Sequence, residues 1–198
     1  MDDARPWQVL LLGGASGVGK TQVSYPLARR FEVGFTGADD ISTALERMTT
    51  PEQYPVLHEW RLHADEVLRL DDAGMLAHTL AYGSVMAQAL EPVIASHIED
   101  STPIVLEGDF ILPSLAAMSA YDGVPSADQV RALFLYEEDE DQIARNFLAR
   151  EGEEQPRRAR ACWYYSEWLR QECERLGVPA ISARPWESVL ERAIAAAS

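Results

Sequence analysis

Lysine is almost missing from this chain. Of its 17 basic side chains, Lys20 is the one lysine and the rest are arginines. Basic charge as a whole is short as well: 32 acidic residues leave a formal net charge of −15 and a sequence pI near 4.6. Nucleic-acid binding wants a basic footprint, so the acidic balance argues against that class of partner. An anionic ligand must instead be held by local cations working against the global field. Cysteine is scarce, with only Cys162 and Cys173. On one helix they would stand about 16 Å apart at ~1.5 Å per residue, too far for a disulfide, and two thiols alone make no zinc site. His58-Glu59-Trp60-Arg61-Leu62-His63 places its histidines five apart where an H-E-x-x-H helix needs four, which excludes that metal site too. There is no internal repeat and no apolar run long enough to span a bilayer. Met1-Asp2-Asp3-Ala4-Arg5-Pro6 is no signal peptide, so a cytoplasmic protein is expected.

What the chain does have is a setting for its one lysine. Lys20 closes Gly14-Ala15-Ser16-Gly17-Val18-Gly19-Lys20-Thr21, a complete G-x-x-x-x-G-K-[ST] P-loop. A compact ammonium on a flexible stem fits around β- and γ-phosphates where a planar guanidinium fork would not. The flanks suit the motif. Trp7–Leu12 reads as a buried strand and Thr21–Arg30 as a helix, with Pro26 as a possible kink. Backbone N–H groups of residues 17–21 would point at phosphate oxygens, helped by the helix N-terminus. The Thr21 hydroxyl would bind Mg²⁺.

The remaining pattern alternates strands with helices, which predicts an α/β domain with a parallel sheet over residues 1–198. Strands are expected at Val33–Ala38, Pro103–Asp109, Val130–Tyr136 and Pro179–Ala183. Helices are expected at Ile41–Met48, Tyr54–Leu70, Met75–Ile98 (with Pro92 a possible kink), Glu138–Arg150, Arg157–Leu176 and Trp186–Ala197. The acidic run Glu137–Asp141 reads as a solvated helix N-terminus. The motifs fall after strands, where ligands of such folds sit.

Glu107, ending its strand, occupies the place of a Walker B acid and would hold a magnesium-bound water. Of Asp39 and Asp40, one is expected to accept a proton from a substrate hydroxyl and the other to cap the next helix, with Asp39 preferred as the base. Asp109 is a substrate-contact candidate beside Asp40 and Arg61. Arginines cluster around the polar break at Gly152. Arg145 and Arg150 are taken as mobile charges of a lid over about residues 145–160, and Arg160 as a solvated residue balancing glutamates. No N-K-x-D guanine motif exists, since there is no second lysine.

Taken together, Gly14–Thr21, the acid at Asp39, Leu106-Glu107-Gly108 followed by an apolar stretch and Pro113, and Arg145 with Arg150 resemble the small-molecule P-loop kinases. Within that group they are most similar to 2-phosphoglycerate-kinase-like and antibiotic-phosphotransferase-like proteins. The resemblance implies a P-loop three-layer α/β/α sandwich with a five-stranded parallel sheet ordered 2-3-1-4-5 and a helical lid. It implies ATP with Mg²⁺, adenine near the lid and Arg184-Pro185, and an acceptor pocket built from about residues 51–100. The expected partners are ATP and a small hydroxylated substrate, in a monomer or homodimer, without membrane or nucleic acid. The alternative is a nucleotide-binding regulatory switch with no acceptor. A nucleotide-monophosphate signature would place an arginine after the third strand. Glu107-Gly108-Asp109-Phe110-Ile111-Leu112-Pro113 has none, which argues against such acceptors.

Overall fold

The computed structural model describes residues 7–198, so the reading of Met1–Pro6 lies outside it. From the N-terminus the elements are β1 (Val9–Gly14), α1 (Lys20–Arg30), β2 (Gly34–Gly37), α2 (Ala38–Met48), α3 (Pro55–Leu62), α4 (Ala64–Val67) and α5 (Asp72–Glu99). Then come β3 (Ile104–Gly108), α6 (Pro113–Ala116), β4 (Ala120–Tyr121), β5 (Val124–Pro125), β6 (Val130–Tyr136), α7 (Glu140–Glu151), α8 (Pro156–Leu176) and β7 (Ala180–Ser182). A 3-10 turn, Trp186–Ser188, leads into α9 (Val189–Ala197).

Five parallel strands form the sheet β2-β3-β1-β6-β7. Counted among themselves they follow the expected order. The numbering departs only because an unexpected hairpin, β4–β5, falls between the third and fourth. Its turn is Asp122-Gly123, both with positive φ, the conformation that Asp-Gly supplies for a two-residue hairpin.

The central strand shows why the chain folds this way. Val9, Leu10, Leu11 and Leu12 are fully buried because helices cover both faces of a parallel sheet, so the strand is apolar without alternation. α1 packs with α9, and α5 with α8. Trp7 Nε1 donates to the Ala197 carbonyl at 2.7 Å, tying the start of β1 to α9. Pro26 and Pro92 both lie within continuous helices.

Four local expectations change. β1 runs past the expected end at Leu12 through Gly13 and Gly14, which pair with β6, and the Phe134 ring lies against Gly13, where a Cβ would meet it at 2.2 Å. The stretch Tyr54–Leu70 is two helices parted at His63, in which Leu57 and Val67 are buried while Trp60 and Leu68 are exposed. Asp39 and Asp40 lie in the first turn of α2, beyond the strand. Neither side chain caps that helix, since the N-cap is Gly37. Glu137 is not solvated: it is 1% exposed, and the helix begins only at Glu140, after the Asp139 N-cap.

Overpacking a tight core typically costs about 1–3 kcal/mol. Gly13→Ala is therefore expected to lower the melting midpoint by roughly 2–12 °C at this chain length. Thermal unfolding followed by circular dichroism measures it, and an unchanged midpoint would rule out the Gly13–Phe134 contact.

Candidate active site

The site grows from the end of β1. There the chain turns through the P-loop into α1, whose N-cap is Gly19 in the left-handed region (φ 95°). Trp186 lies over this residue, and a Cβ there would meet its ring at 2.4 Å. Two constraints, positive φ and the close indole, thus demand glycine. Asn146 of α7 donates to the Gly17 carbonyl at 2.8 Å, fixing the loop from the other side.

Lys20 reaches back across the loop. Its side chain is only 5% exposed, and its ammonium donates to the Ala15 carbonyl at 2.9 Å and to Asp109 Oδ1 and lies 4.0 Å from Glu107 Oε1. Burial alone would lower the Lys20 pKa. The carboxylates of Asp109 and then Glu107 outweigh it and hold the ammonium above the ordinary lysine range.

The sheet register explains the neighbours. Gly37 of β2 lies opposite Glu107, and Gly13 of β1 opposite Gly108. Strand ends β2, β3 and β1 therefore finish together, and the residues just past them converge. Thr21 Oγ1 donates to Glu107 Oε2 at 3.2 Å. Burial pushes the Glu107 pKa up and Lys20 only partly offsets it. Asp39 is likewise raised, by burial first and then by the negative charge of Asp109. The Tyr165 hydroxyl donates to the Asp109 carbonyl at 2.8 Å, holding that segment against α8.

These groups line one cavity of about 670 Å³. Ser16, Gly17, Gly19, Lys20, Thr21, Asp39, Glu107, Asp109, Arg150 and Arg184 reach its wall as anticipated. Gly14, Ala15 and Val18 are buried members of the loop that stay off the wall and shape it. Other anticipated residues lie elsewhere. Arg145 pairs with Asp139 at 2.9 Å, off the cavity wall, because Asp139 at the N-cap draws it outward. Asp40 is exposed and off the wall, one position beyond Asp39 on the helix. Arg61 is exposed and bonded to His58 Nδ1 at 3.0 Å. Pro185 is not on the wall, although Trp186 beside it is. Arg160 bridges Asp72 and Glu140 at 3.0 and 2.9 Å, a solvated charge balance as expected.

Sequence reasoning missed Gln142, Asn146 and Trp186 on the wall. The first two share a helix face at i, i+4, a spacing that could have drawn notice. It also missed the acid that orients Arg184. Glu137 accepts from Arg184 Nε at 2.9 Å and from the Asp139 N–H at 3.2 Å, while its own N–H donates to Ser166. Both cysteines are free, and burial pushes each thiol up to about 12, leaving them unreactive.

Among the described residues no group of three or more His, Cys, Asp or Glu side chains forms a metal cage. Thr21 and Glu107 offer hard oxygens only, a set that suits Mg²⁺, which keeps waters and takes phosphate oxygens as its other ligands.

No family model matches the chain. It is 27% identical over 109 residues to the 2-phosphoglycerate kinase of Methanocaldococcus jannaschii, covering 54% of this chain and 35% of that protein. It is 28% identical over 128 residues to the one from Methanococcus maripaludis, covering 60% and 40%. The chain thus spans about two fifths or less of the length of these curated relatives. A sugar kinase from Janibacter sp. HTCC2649 superposes with a TM-score of 0.56 at 16% identity, covering 96% of this chain and 94% of that one. The chain has the fold of the small-molecule P-loop kinases. With that fold, the expected α/β class and sheet hold, and the cavity at the strand ends lies where such a fold places ligands. No helix among the described residues is long and apolar enough to cross a membrane.

The raised Glu107 carboxyl has a stability consequence. A folded pKa above the unfolded value means that ionisation costs stability. That cost is absent below about 4.5 and complete once the pH exceeds the folded pKa. Glu107→Gln is therefore expected to melt at or a few degrees above the parent at pH 8, with the gap closing as the pH falls toward 4.5. A variant that melts well below the parent at pH 8 would reverse that sign.

Proposed function

We propose that this protein transfers the γ-phosphoryl group of ATP to a hydroxyl of a small molecule, with Mg²⁺. One observation carries the reading: Lys20, Thr21 and Glu107 form a bonded cluster at the strand ends while Asp39 stands on the wall of the same cavity. The likeness to 2-phosphoglycerate kinases and the shared fold support it.

In this reading the P-loop amides and Lys20 hold the phosphates, and Lys20 exchanges its carboxylate partners for phosphate oxygens. Thr21 and Glu107 would hold Mg²⁺, which supplies charge neutralisation on the phosphates when bound. Asp39 accepts the acceptor's hydroxyl proton as the new O–P bond forms and the bond from the γ-phosphorus to the β–γ bridging oxygen breaks, releasing ADP. Its raised pKa suits a base. Arg184, oriented by Glu137, and Trp186 flank the nucleotide. Arg150, half-exposed, is held only from its own helix, by Glu151 at 2.5 Å and by the Phe147 ring 5.1 Å beneath its guanidinium, and would swing from there over the phosphates. Arg145 would join only by leaving Asp139. A switch protein has no use for Asp39, so the alternative of a nucleotide-driven regulator is the weaker reading. The net charge of −15 disfavours a polynucleotide acceptor. A cytoplasmic monomer or homodimer completes the proposal.

Lys20→Ala is expected to abolish phosphoryl transfer with the circular-dichroism spectrum unchanged; full turnover would dismiss the P-loop role. Asp39→Asn is expected to lower kcat by roughly 10²–10⁴, the range for a lost general base, with much less change in ATP affinity. Turnover by phosphate-transfer assay and affinity by calorimetry separate the two, and equal losses in both would reduce Asp39 to a structural acid.

A further inference from the structure

The charges around the cavity are unevenly divided. Its wall carries three cations, Lys20, Arg150 and Arg184, all on elements that the reading above gives to the nucleotide. Lys20 comes from the P-loop, Arg150 from the last turn of α7, and Arg184 follows β7 with its guanidinium held by Glu137. The side formed by the ends of β2 and β3 carries Asp39, Glu107 and Asp109. The helical excursion beyond β2 brings no cation to them. Its arginines are Arg47, Arg61 and Arg69, none of which reaches the cavity wall, and Arg61 is spent on His58.

The roles proposed above assign two of these carboxylates. Glu107 faces Thr21 and the metal, and Asp39 faces the acceptor hydroxyl. Asp109 has a different history. Its side chain is held by Lys20 and is only 28% exposed, and the Tyr165 hydroxyl fixes its backbone. Once Lys20 turns to phosphate, Asp109 is left as a half-buried anion beside a second anion, which is costly without a new cation. An anionic acceptor would make this worse, because it would meet Asp39 and Asp109 with no arginine to receive it. A protonated amine would relieve it through a charge-assisted hydrogen bond.

Resting on the phosphotransfer reading, we propose that the acceptor is a hydroxylated amine, an amino sugar or amino alcohol, whose ammonium takes the place on Asp109 that Lys20 leaves. Asp109 is then the residue that selects the acceptor's charge, while Asp39 receives the proton of its hydroxyl.

Three hydroxylated six-carbon compounds differ in charge: glucosamine as a cation, glucose as a neutral ring and gluconate as an open-chain anion. Each is to be titrated into the full chain loaded with ADP and Mg²⁺, and each, with 2-phosphoglycerate added to the set, assayed with ATP and Mg²⁺. Glucosamine should bind roughly tenfold or more tightly than glucose, the factor expected of one charge-assisted hydrogen bond, with gluconate weaker still. The same order should hold for kcat/KM. Asp109→Asn should shrink the glucosamine advantage to about threefold or less, while Asp109→Glu should keep most of it. Equal binding of all three, no binding by any, a preference for gluconate or turnover of 2-phosphoglycerate would overturn the proposal. So would an Asp109→Asn variant with the parent's ratio. The underlying kinase reading is tested in the same samples without acceptor. Stabilisation by ATP and Mg²⁺ that survives Lys20→Ala unchanged would sink it, whatever the amine result.

Discussion

A buried ammonium organises this molecule. Lys20 lies almost out of reach of water, and a lone charge in that position would be too costly to keep. It is kept because the fold brings an oxygen to it from each side: the Ala15 carbonyl from its own loop, and the carboxylates of Glu107 at the end of β3 and Asp109 just past it. That arrangement requires β1 and β3 to be adjacent and to end level with each other, which the parallel register Gly13 to Gly108 provides. The register in turn is held by the leucine core of β1. Packing far from the site thereby sets the distance between a cation and its partners.

The carboxylates satisfy the lysine but oppose one another. Glu107 and Asp39 both have raised pKa values, with burial the largest cause and the charge of Asp109 adding to it. The cluster is stable with one cation and three acids only because Lys20 is shared among them. Any ligand that draws Lys20 away must bring positive charge of its own to the acids it leaves. This makes the site selective for combinations of ligands, a metal with a nucleotide for instance, over either alone.

Much of this was legible in the chain. The P-loop was readable because its glycines and lysine are contiguous, and strand β6 because Val130–Tyr136 is a short apolar run between polar turns. The convergence of Asp39, Glu107 and Asp109 followed from their places after strands. What escaped depended on contacts distant in sequence. Nothing local says that Glu137, inside an acidic run, turns inward to meet Arg184 across 47 positions, nor that Trp186 lies on Gly19. The lid arginines illustrate the converse: their clustering was visible, but that Asp139 pulls Arg145 away while Arg150 stays on the wall is decided by helix phase and capping. Arg61 was a substrate candidate through its place in the stretch where the resemblance puts the acceptor pocket, yet its partner is the buried ring of His58.

The scarcity of lysine has one further consequence. The described surface carries guanidinium groups and no lysine amine, and the one lysine is 5% exposed at the wall of the cavity. Acylating reagents and acetyl-, methyl- or ubiquitin-transferring enzymes find no lysine on the outside of the folded domain. Where such chemistry does reach Lys20, it reports that the ammonium has left Ala15 and Asp109, so the fold carries its own amine probe of the site.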